Sequence, residues 1–202
     1  SFYIKSINLE TSYIGSYLAL GSIYLDLNEN ELAESTFQKA SIVAKDILSN
    51  SNTNNITEVV LNDIGVLFTI LGDFAMAEKT LKIMAENISF NSYHKMLLSE
   101  NLLSMGKFRE GWALYESRFD YYLKEKKIDH YKKFPKPRWE PEMGSGKILI
   151  WAEQGLGDQI LFGTIIKDFI IRFKKVYLMV DTRLKKHFTK NYNQIEVIGF
   201  DE

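Results

Sequence analysis

The sequence predicts two architectures in tandem. A solenoid of antiparallel helix pairs occupies residues 1–123, a connector follows over 124–146, and a partial α/β domain with a parallel sheet begins at 147 and runs to 202. Three observations predict this. A pattern of large and small residues returns three times in the first 120 residues. All three prolines fall between Pro135 and Pro141. Beyond them, short apolar runs alternate with amphipathic stretches around a glycine-containing loop.

The helical part is carried by register. Leu20-Gly21-x-x-Tyr24 aligns with Ile64-Gly65-x-x-Phe68 and Leu98-Ser99-x-x-Leu102. At one fixed distance behind each comes a small residue, Ala33, Ala77 or Gly111, and four residues later a large one, Phe37, Leu81 or Tyr115. Gly65 and Ser99 are 34 residues apart, and Gly21 and Gly65 are 44 apart. The difference predicts an inserted helical turn and loop, assigned to the polar, helix-poor run Ser49 to Asn55. Small residues let the helices of a pair approach, and large ones fill the gap to the next pair. Gly72 and Gly106 mark tight turns inside two pairs. Residues Tyr3 to Leu9 lie 34 before Phe37 to Val43 and read as the second helix of an earlier unit. A pair cannot bury its apolar face alone, so the array is expected to extend upstream.

This pattern resembles the tetratricopeptide repeat over about residues 12–120, in three units. The usual proline between units is missing, and Ser99 and Gly111 replace more typical residues. The resemblance implies a concave face built from the first helix of each pair, here Leu18, Ser22, Asp26, Asn62, Val66, Thr69, Met96 and Glu100. A protein or peptide is the implied partner. O-GlcNAc transferases carry an asparagine ladder two residues before the repeat glycine. Those positions here are Ala19, Asp63 and Leu97, so that mode of gripping peptides is not expected.

Residues 121–127 are expected to finish a helix. Lys132 to Pro141 should be extended, because proline fixes φ and removes a donor. Its Lys132, Lys133, Lys136 and Arg138 stand among Tyr131, Phe134 and Trp139. That mixture fits nucleic acid or a linker whose aromatics pack on its neighbours. The linker is preferred, because no further basic surface supports the first.

Lys147 to Ala152 lacks alternation and predicts a strand buried on both faces. Glu153-Gln154-Gly155-Leu156-Gly157-Asp158-Gln159 forms the loop after it. A helix over about 159–173, a strand over 176–180, a helix over 182–190 and a strand over 195–198 complete a parallel βαβαβ run. On such sheets functional groups lie at the carboxyl ends of the strands. G-x-G-x-x-G fails at Ile160, and the P-loop pattern fails at Gly146-Lys147-Ile148, so a dinucleotide or ATP site is not indicated. The glycines still allow close backbone approach, and the helix behind them offers free N–H groups. Asp158, at the helix start, either caps that helix or projects into the cleft as a base.

The run from Trp139 through Gly146 to Ile160, with Gly106 to Arg118 before it, resembles the junction between repeats and a Rossmann-like glycosyltransferase domain of the heptosyltransferase-like GT-B group. The resemblance spans about residues 104–185. It implies that Asp158 is a general base deprotonating the acceptor hydroxyl, with Glu153, Gln154, Gly155, Gly157 and Gln159 around the substrate. The group holds its nucleotide-sugar mainly on a second half-domain, which this chain does not reach. A nucleotide-sugar is therefore expected only in a full-length parent, and transferase turnover is not expected from these 202 residues. The alternative is a purely non-catalytic interaction scaffold.

Composition sets the outer bounds. Formal net charge is −1, which supplies no field for nucleic acid or an anionic membrane. Cysteine is absent, which removes disulfides and cysteine-ligated zinc and allows the cytoplasm, the expected location. No apolar run approaches the roughly 20 residues of a membrane span. His94, His130 and His187 are too far apart for a helical metal site, and no metal or cofactor is implied. Trp112 and Trp151 are expected in the core.

Overall fold

The structure, a computed structural model, describes residues 2–52, 55–87, 90–125 and 134–200. The chain divides into two compact units, Ser1–Lys127 and Ile128–Glu202.

The first unit is helical. Helix α1 (Phe2–Leu9) packs on α2 (Ile14–Asp26). Three antiparallel pairs then follow: α2 with α3 (Asn30–Asn50), α4 (Glu58–Ile70) with α5 (Phe74–Asn87), and α6 (Ser92–Ser104) with α7 (Phe108–Tyr115). A short α8 (Ser117–Asp120) and a π-helical turn (Tyr121–Glu125) continue from α7.

The pair turns share one design. Asn28, Gly72 and Gly106 sit at equivalent positions and all have positive φ, between 60° and 74°. In each case the next N–H reaches back to a carbonyl five residues earlier, as Asp73 does to Phe68 at 2.9 Å. This is the Schellman closure, which satisfies the last carbonyls of a helix. Asparagine tolerates the left-handed region, which is why the first turn forms without glycine.

Close approach inside the pairs falls where the small residues predict it. A methyl on Gly21 would overlap the Phe37 ring, and one on Gly65 would lie 3.1 Å from Leu81. Phe37 and Leu81 thus fill the gap within their own pairs, besides packing in the wider core. The assigned insertion begins as helix. Helix α3 runs through Ser49 and Asn50, whose side chains bond back to Lys45 and Asp46, one turn earlier. Thr53 and Asn54 lie outside the described residues. Trp112 is not a core residue: it is 48% exposed on α7.

The second unit holds β1 (Lys147–Trp151), β2 (Lys175–Val180) and β3 (Glu196–Gly199), parallel and in that spatial order. Ile150 pairs with Leu178, and Leu178 with Val197. Helices α9 (Leu156–Phe162) and α10 (Ile166–Arg172) connect the first two strands, and α11 (Thr182–Asn191) the last two. The core joins Ile166, Leu178, Val180 and Phe188.

Two expectations are corrected here. Strand β1 is not buried on both faces; Leu149 is exposed and the rest is at most half-buried. Among the described residues β1 is an end strand, and β2, in the middle, carries the buried positions. The helix expected over 159–173 starts at Leu156 and breaks into two at a 3-10 turn, Gly163–Ile165. A methyl on Gly163 would lie 2.6 Å from Phe188, and Tyr192 donates to the Gly163 carbonyl. The break is where α11 needs room.

Of the predicted connector, 126–133 lies outside the described residues. Its later part packs on the sheet unit. Trp139 donates to the Gly144 carbonyl, meets Phe173 edge-on and carries the Arg172 guanidinium over its ring. Phe134 meets Trp151. No helix among the described residues is long and apolar enough to cross a membrane.

Candidate functional site

Two places gather the residues singled out by sequence. The first is the face formed by the first helices of the pairs. Helix α4 packs against both α2 and α6, so the three faces run side by side. Leu18, Asn62 and Met96 occupy one equivalent position, and Ser22, Val66 and Glu100 another. Ser22, Asp26 and Glu100 are exposed, and Leu18, Asn62, Val66, Thr69 and Met96 are half-buried.

Thr69 is committed to the fold. Its hydroxyl bonds to the Gly65 carbonyl and to the amide of Asn101, which is fully buried. Asn101 also donates to the Leu97 carbonyl at 2.7 Å. The pair therefore stitches α4 to α6 rather than offering groups to a partner.

Asp63 and Tyr93 are functional candidates that sequence reasoning passed over. Asp63 lies over α2, and a methyl on Gly15 would come within 2.9 Å of its Oδ2. Its carboxyl receives one long bond, 3.4 Å, from Asn62 Nδ2. With the Asn62 amide turned that way, Asn62 Oδ1 is buried without a partner. Loss of hydration pushes the Asp63 carboxyl pKa up, and the Asn62 bond opposes this only in part. Glu100 is exposed, yet loss of hydration against the face raises its pKa too. Tyr93 is raised by burial first, then by Tyr121, Glu100 and Asp63. Its ring lies 5.6 Å from that of Tyr121. The signal was available: Tyr93 is the repeat equivalent of Gly15 and Val59, and Asp63 holds a ladder position.

The second place is the rim at the carboxyl ends of β1 and β2. Gly155 is the N-cap residue of α9, and Asp158 is its third helical residue. Asp158 therefore does not cap the helix, although its charge suits the positive end of the helix dipole. It is half-buried and makes no side-chain hydrogen bond among the described residues. A methyl on Gly157 would meet nothing, and one on Gly155 would meet only Asp158 Oδ2, at 3.6 Å. The backbone here is open to an approaching group. Glu153 and Gln154 are half-buried in the loop.

Gln159 does something else. It is buried, its Nε2 donates to the Gln154 carbonyl at 2.8 Å, and its Oε1 accepts from the Asp181 N–H at 2.9 Å. Both ends of the amide hold backbone. Asp181 caps α11 through the Arg183 N–H and takes two bonds from the Arg183 guanidinium, which lower its pKa to about 2. Among the described residues no three metal-ligating side chains come together.

Comparison with known proteins agrees with the helical part. The tetratricopeptide-repeat family matches residues 14–41, which is α2 and the first half of α3. A tetratricopeptide repeat is therefore present in a helical array. The chain is also similar to Protein FlbA of Caulobacter vibrioides, at 33% identity over 100 residues. That alignment covers 48% of this chain and 16% of the relative, so the chain spans well under two thirds of the protein it matches.

Proposed function

We propose that this chain is a protein-interaction scaffold that receives a peptide or a protein segment along its first-helix face. One observation carries the reading: α2, α4 and α6 lie side by side, and their face carries exposed and half-buried apolar and polar side chains in register. Such a strip suits an extended or helical segment, with affinity coming from a few anchors rather than from area. The test is selection of peptides on the full chain from a random display library. Binders should lose affinity about tenfold or more when a long side chain is placed at the centre of the strip by Val66→Arg, since it would fill the anchor positions. Binders indifferent to that change would sink the reading.

A second, finer reading applies to the α/β unit. It is the acceptor side of a glycosyltransferase domain in a longer protein, with Asp158 as general base. What supports it is the open space at Gly157 beside a carboxylate that has no hydrogen-bond partner among the described residues. In the full-length protein, assayed with a panel of nucleotide-sugars, Asp158→Asn should lower kcat by roughly 10²–10⁴. Sugar transfer that survives the change undiminished would remove Asp158 from the chemistry.

A further inference from the structure

The polar groups of the first-helix face have one chemistry in common. Asp63, Glu100 and the buried Asn62 Oδ1 are all acceptors. Asp63 holds a single long bond, Asn62 Oδ1 holds none, and the Glu100 carboxylate makes none among the described residues. Helices α2 and α4 contain no Lys or Arg, and α6 contains only Lys95, one residue before the Met96 register. Asp26 adds a further exposed carboxylate on α2.

Nothing among the described residues meets this demand. Elsewhere in the array it does meet such a demand: the buried Glu78 receives both Lys82 and Lys107. The first-helix face instead has carboxyls that lose hydration, with no cation beside them among the described residues. Two tyrosine rings, Tyr93 and Tyr121, flank the same place and provide π faces on which a guanidinium or ammonium group can rest. Residues 1–127 as a whole carry 16 acidic against 12 basic residues, so the wider field has the same sign.

We infer that the partner of this face is a basic segment, with an Arg or Lys side chain seated at Asp63 and Glu100 beside Tyr93. Arginine fits best, because its planar fork presents five donors to several acceptors at once. The inference rests on the scaffold reading and goes further by fixing the partner's charge and the anchor's position.

The test uses three fluorescein-labelled ten-residue peptides that alternate Leu with Arg, Gln or Glu, titrated into the full chain and followed by anisotropy. The Arg peptide should bind, and the Glu peptide should not. Asp63→Asn with Glu100→Gln should weaken the Arg peptide about tenfold or more, as loss of close charge partners does. Glu31→Gln with Glu34→Gln removes the same charge from exposed positions on α3 and should leave binding within about twofold. Glu100→Gln alone, at an exposed site, guards against a folding defect, and a thermal melt accompanies each variant. Equal loss in the α3 variant would mean diffuse attraction and would overturn the assignment. Equal binding of the Gln peptide, still sensitive to Val66→Arg, would overturn the charge claim and leave the scaffold standing. Failure of all three peptides would also overturn it, with the display selection then deciding the scaffold separately.

Discussion

Glu78 is buried on the second helix of the middle pair and holds two lysines, one from its own helix at 2.7 Å and Lys107 from the next turn at 2.6 Å. The bonds from Lys107 and then Lys82 keep its carboxyl below the usual carboxylate range. Because the folded pKa is depressed, the stabilisation is complete above the unfolded value of about 4.3 and is lost as pH falls through the folded value. Both lysines remain half-exposed, so Glu78→Gln should cost only about 1 kcal/mol near neutral pH. The gap in melting temperature between the two proteins should close as pH drops below about 4; a gap that persists unchanged would mean packing, not charge, is responsible. At this scale sequence was least informative about direction. It located Asp158 and the glycines but left cap and base both open, because either needs the same residue at the same place. The structure gives the cap position to Gly155 and puts Asp158 in the first turn of α9. Gln159 is expected around the substrate by resemblance alone; nothing in its spacing tells that its amide faces inward.

At the scale of elements, the Thr69–Asn101 contact joins first helices 32 residues apart in sequence, close to one repeat period. Asn101 is fully buried, so removing its amide takes away the bonds to Leu97 and Thr69 and leaves Thr69 only its bond to the Gly65 carbonyl. Asn101→Ala should cost about 1–3 kcal/mol by chemical denaturation. Amide exchange should rise in α4 and α6 before it rises in α2; a uniform rise would mean the stitch is not local. The helix pairs themselves were legible, since the spacing of Gly21, Gly65 and Ser99 fixes both register and contact. The turns were legible where glycine marked them and not at Asn28, whose left-handed backbone has a weaker signal. The split between α9 and α10 was hidden for another reason: Gly163 sits in an otherwise helical run, and what interrupts the helix is Phe188, 25 positions further on. Strand β1 misled because an unbroken apolar run records the absence of alternation, not which neighbours cover each face.

For the whole molecule, the division into two compact units follows composition as well as geometry. Residues 1–127 hold 12 basic and 16 acidic residues, and residues 128–202 hold 13 and 10. Each unit has its own apolar core, Phe37 with Phe68 in one and Leu178 with Phe188 in the other. Units built this way unfold separately unless a large apolar interface joins them. Calorimetry of the full chain should therefore resolve two transitions, and the double change Leu178→Ala with Phe188→Ala should abolish one while leaving the other within a few degrees. A single transition lost as a whole would contradict this. The two architectures were readable from periodicity and from the proline cluster. The partner chemistry was not, since it depends on which acceptors the fold fails to pair.

The glutamine clamp has a mechanical corollary. Its amide ties the carbonyl of Gln154 to the N–H of Asp181, so the exits of two strands share one rivet. A molecule that pulls on the glycine loop also tugs the first turn of α11, and whatever loosens that turn slackens the loop in return.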